Sequence, residues 1–162
     1  MRSIRGALAA TTAMLAALTL WAAPAHADIA PPQPFSADST NPYFDTCPHG
    51  ITKGTLLWQT PGPVAPIAVQ VSGQVVDRPT PSSTTPSCAP DDYSSTAIFT
   101  AYSGSAVVGY KTVTVDNGVK QFQFTLGGST GSVLTALTVQ VCRDPVHTLP
   151  PSYCGKTVTY RG

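Results

Sequence analysis

The stretch TAIFTAYSGSAVVGYKTVTVDNGVKQFQFTL, residues 96–126, alternates apolar with polar side chains over most of its length. Successive side chains of an extended chain point to opposite faces, so this period of two marks half-buried strands rather than helices. Ser103-Gly104-Ser105 interrupts the alternation once and Asp116-Asn117-Gly118 interrupts it again. Asn-Gly readily accepts the positive φ values of a tight turn. Strands are therefore expected over 96–102, 106–115 and 122–126, with Asn117 and Gly118 as a two-residue hairpin turn.

The same period recurs on either side. In IAVQVSGQVV, residues 67–76, Ile67, Val69, Val71 and Val75 share one face, and Gly73 suggests a bulge or bend. Further strands are expected over 54–60, 133–142 and 156–160. Trp58, preceded by Leu56 and Leu57, is expected in the core or at its edge rather than as a sugar-stacking platform. Seven short strands with frequent turn signals predict an all-β fold. The expected architecture is an antiparallel two-sheet sandwich, immunoglobulin-like or a related Greek key, with a closed barrel as the alternative. Composition agrees: residues 28–162 hold 19 Thr and 13 Ser, the chain has no Glu, and Met1 and Met14 are its only methionines. Thr and Val favour strands, whereas Glu, Lys and Met fill exposed helices.

The first 27 residues read as a signal peptide. Arg2 and Arg5 precede an apolar run over 7–23, and Ala25-His26-Ala27 supplies the small-x-small cleavage pattern. Cleavage after Ala27 predicts a secreted chain with no stable membrane insertion. It would leave 135 of the 162 residues, enough for one domain. Those residues carry seven basic and eight acidic side chains, a net charge of −1. That balance gives no electrostatic basis for binding nucleic acid or an anionic membrane. Residues 28–45, with four prolines and no periodicity, read as a flexible lead-in, and 46–162 as the domain. Residues 77–92, again with four prolines, read as a long loop that Cys88 could tether.

Four cysteines in an exported chain are expected to oxidise, and four allow three pairings. Leu137, Val139 and Val141 lie on one face of their strand; Thr138, Gln140 and Cys142 lie on the other. With the apolar face inward, Cys142 points away from the core, which argues against a bridge between sheets. Cys142 is thus expected to pair with Cys154 across the base of the last hairpin, and Cys47 with Cys88.

No catalytic pattern emerges. Gly104-Ser105-Ala106 and Gly131-Ser132-Val133 do not fit a nucleophile elbow, and Asp91-Asp92 reads as a solvated turn. Cys142-x4-His147 has the spacing of a blue-copper loop, but residues 28–162 lack the methionine such sites usually add. No metal or other cofactor is expected. Binding is more plausible, since a stapled loop would display Arg143, Asp144, His147, Leu149 and Tyr153. The chain reads as a non-enzymatic extracellular or cell-surface module that binds a protein or glycan. A protease inhibitor presenting a disulfide-anchored loop is the alternative, and a small hydrolase ranks below both.

Overall fold

A computed structural model describes residues 31–40, 49–60, 65–77, 92–127, 132–147 and 152–162. Among the described residues nine strands run β1 (Gln33–Asp38), β2 (Gly50–Gln59), β3 (Ala68–Asp77), β4 (Tyr93–Ser103), β5 (Ala106–Val115), β6 (Val119–Gly127), β7 (Ala136–Pro145), β8 (Tyr153–Cys154) and β9 (Val158–Tyr160). They form two antiparallel sheets packed as a sandwich. One sheet has the order β1-β2-β3-β6; the other has the order β5-β4-β7-β8, with β9 also on β7.

The alternation places the core where the sequence implies. Leu56 and Trp58 of β2, Val69, Val71 and Val75 of β3, Ala97, Phe99 and Ala101 of β4, and Leu137, Val139 and Val141 of β7 are all buried. At the centre, Phe35, Gly54, Gly73 and Phe122 lie in one row across β1, β2, β3 and β6. A Cβ on Gly54 would collide with the Ser72 carbonyl and crowd the Phe35 ring. Two facing glycines thus leave room for the rings of Phe35 and Phe122, stacked with centroids 6.5 Å apart. Phe99 from the opposite sheet meets both edge-on, at 5.8 and 5.2 Å. Burying each such ring stabilises the fold by roughly 1.5–3 kcal/mol.

Four features differ from expectation. Residues 33–38 are a strand and not part of a flexible lead-in, because Phe35 and Ala37 alternate inward behind the prolines. Pro34 is tolerated there because β1 is an edge strand, where a missing N–H need not break a ladder. The turn at Asn117 has the expected positive φ of 47°, yet it is not a hairpin: β5 and β6 belong to different sheets, so the turn crosses between them. Gly73 keeps an unbroken register on both sides, and the register shift lies instead at Ala101/Tyr102 between β4 and β5. Finally, β8 is an additional short strand.

The signal-peptide reading of 1–27 and the loop reading of 78–91 lie outside the described residues.

Candidate binding loop

The loop rises from β7 and returns through β8 and β9. Cys142 stands directly opposite Cys154 in the β7–β8 ladder, and the two form a disulfide. The staple follows from parity: Leu137, Val139 and Val141 are buried inward, which turns Cys142 to the outer side of its sheet. There it shares a row with Thr96 of β4 and Cys154. The bridge thus lies within one sheet. Closing a loop across 12 residues stabilises by about 3 kcal/mol in the chain-entropy account. Cys47, Cys88 and Leu149 lie outside the described residues.

The five residues expected on the loop do not share one surface. Arg143 is corrected outright: it is fully buried and not displayed. Its guanidinium forms an ion pair with Asp77 at the end of β3, in the opposite sheet. Arg143 Nη1 also donates to Ser95 Oγ (2.7 Å), and Nη2 donates to the Tyr93 carbonyl (3.3 Å). The reason is again parity, since Arg143 continues the inward series Leu137, Val139, Val141. Tyr153 lies opposite Arg143 in the ladder and is half-buried. Its ring meets Tyr93 at 5.9 Å, and the Arg143 guanidinium lies 5.7 Å from the centre of the Tyr93 ring. Asp144 falls on the other side of β7, half-buried, and its carbonyl accepts from Ser94 Oγ (3.3 Å). His147 is exposed beside Val146, which is 41% exposed.

Asp77 is the node that sequence reading missed. It accepts from Ser95 Oγ (2.5 Å) through Oδ1 and from the Asn117 backbone N–H (2.8 Å) through Oδ2. Its own N–H donates to the Gly118 carbonyl (2.8 Å). One buried carboxylate thereby ties β3, β4, β7 and the crossover turn together. The signal was present, because Asp77 follows Val71 and Val75 on the inward face and Ser95 precedes Ala97 and Phe99 on theirs. Ser95 is fully buried and its hydroxyl lies between a carboxylate and a guanidinium. That environment makes it part of a clamp between the two sheets.

The loop therefore has a base fixed by a disulfide, an interior ion pair and a ring stack, and a tip on which Val146 and His147 reach solvent. No family model matches the chain, and no curated protein or solved structure matches it either.

Proposed function

We propose that the chain is a secreted, non-enzymatic β-sandwich that binds an extracellular or cell-surface protein or glycan through the loop between β7 and β8. The observation that supports this reading is the contrast between the loop's rigid base and its exposed tip. Cys142–Cys154 and the Arg143 interactions hold the base, while Val146 and His147 stand in solvent. A loop whose base is fixed before contact loses less conformational freedom on binding, so fewer contacts suffice for useful affinity. Secretion is supported by the basic, apolar and small-x-small order of residues 1–27.

The test is retention of the purified protein on immobilised polysaccharides, cell-wall fractions and proteases. Retention on one of these, weakened at least about tenfold by His147→Ala combined with Val146→Asp, is the expected result. Stoichiometric loss of protease activity would favour an inhibitor that uses the same loop. Retention unchanged by the loop substitutions would overturn the assignment to this loop.

A further inference from the structure

A sandwich of two open sheets has outer edges whose unpaired N–H and C=O groups can pair with another chain. Three of the edges here are guarded by their own residues. β1 carries Pro34. β5 has a register shift against β4 and carries the exposed Lys111, in register with the inward Phe99. β6 carries Lys120, in register with the inward Val75, and its ammonium reaches the Thr114 carbonyl of β5 (3.3 Å). Prolines, shifts and inward lysines are established ways of discouraging edge pairing.

The outer edge of β7 is different. Its residues Leu137–Val141 alternate apolar with neutral polar side chains, three of the five β-branched, and carry no charge and no proline. That edge is covered only by the last stretch of chain, residues 152–162, whose strands β8 and β9 pair with β7 and no other strand among the described residues. This strap is short, and it is fastened at two ends. At one end is the Cys142–Cys154 disulfide. At the other, the Tyr160 hydroxyl accepts from the Ser36 N–H (2.9 Å) and donates to the Ser36 carbonyl (2.9 Å). Between them the Gly155 N–H donates to the Val141 carbonyl (2.9 Å), and the Gly155 carbonyl accepts from Gln140 Nε2 (3.0 Å). Gly155 lies so close to Asp38 that a Cβ would collide with the Asp38 carbonyl.

We propose that the disulfide is a latch on this strap, and that the reduced chain exchanges the strap with β7 of a second copy. Every non-covalent contact just named is available equally from the strap of an identical chain, so exchange sacrifices none of them; this is the low-cost route of domain swapping. Beyond the chain's own continuity from β7 to β8, only the disulfide distinguishes the chain's own strap from another's. Opening it takes two electrons and two protons from a dithiol, which closes to its own disulfide and leaves Cys142 and Cys154 as thiols. Closing it reverses that exchange and locks whichever strap is seated. A newly made chain, still reduced, therefore has a window for assembly that oxidation ends.

The experiment mixes full-length ¹⁵N-labelled and unlabelled protein, reduces it with dithiothreitol in native buffer, reoxidises it and maps the disulfide peptides. Hydrogen exchange is followed on the reduced mixture. The expected result is a Cys142–Cys154 peptide with one labelled and one unlabelled half. It is accompanied by protection falling on the order of 100-fold at Tyr153, Cys154 and Val158–Tyr160 while β4 keeps its own. Peptides of a single label only, or protection lost equally from β4 and the strap, would overturn the proposal.

Discussion

The middle of the sandwich and its Asp77 end are built from the same two-residue alternation but are held by different physics. In the middle, inward positions carry Phe35, Phe99, Phe122 and Phe124, and rings from both sheets interlock around two facing glycines. At the end, inward positions carry Asp77, Ser95 and Arg143, and the sheets are joined by charge and hydrogen bonds. Apolar packing fails by volume, because a smaller side chain leaves a cavity that neighbours only partly fill. A buried charge is intolerant, because removing one partner strands the other without water. The lesson is that strand parity decides position, while side-chain chemistry decides how a position fails.

The comparison breaks most sharply at the clamp. Asp77→Ala or Arg143→Ala should each destabilise by about 3–5 kcal/mol in denaturant unfolding, since each leaves an uncompensated buried charge. Replacing both together by Leu and Met should recover much of that loss. Phe99→Ala in the middle should cost about 3–4 kcal/mol, with no partner substitution able to restore it. Cys142→Ser with Cys154→Ser should cost about 3 kcal/mol, measured against the oxidised protein. Tyr160→Phe, which removes the bridge from β9 to Ser36, should cost about 1 kcal/mol and chiefly loosen the strap in hydrogen exchange. Asn117→Gly should change stability by at most about 0.5 kcal/mol, because glycine accepts the same positive φ but adds freedom to the unfolded chain.

Much of the fold was legible in the sequence. Alternation identified the strands that build both sheets, and parity in 137–142 turned Cys142 away from the core and toward Cys154. Two things were hidden. β1 was masked by the prolines of its own neighbourhood, although Phe35 and Ala37 keep the period. The crossover at Asn117 was hidden because Asn-Gly specifies a local backbone conformation and says nothing about which sheet the next strand joins. The candidate site was less legible, for a different reason. Arg143 reads as a displayed anchor because Arg is a common interface anchor and the stapled loop follows it, yet the parity that turns Cys142 outward already turns its neighbour inward. Two opposite charges, Asp77 and Arg143, both at inward positions near strand ends, are the signature of a buried pair. On the proposed binding loop, parity and pairing leave Val146 and His147 in solvent.

A double-mutant cycle on Asp77 and Arg143 tests most directly whether a buried ion pair clasps the two sheets at this end. With both residues truncated singly and together in the oxidised protein, the coupling free energy should reach at least about 2 kcal/mol. Additive losses, with coupling below about 0.5 kcal/mol, would contradict the clasp.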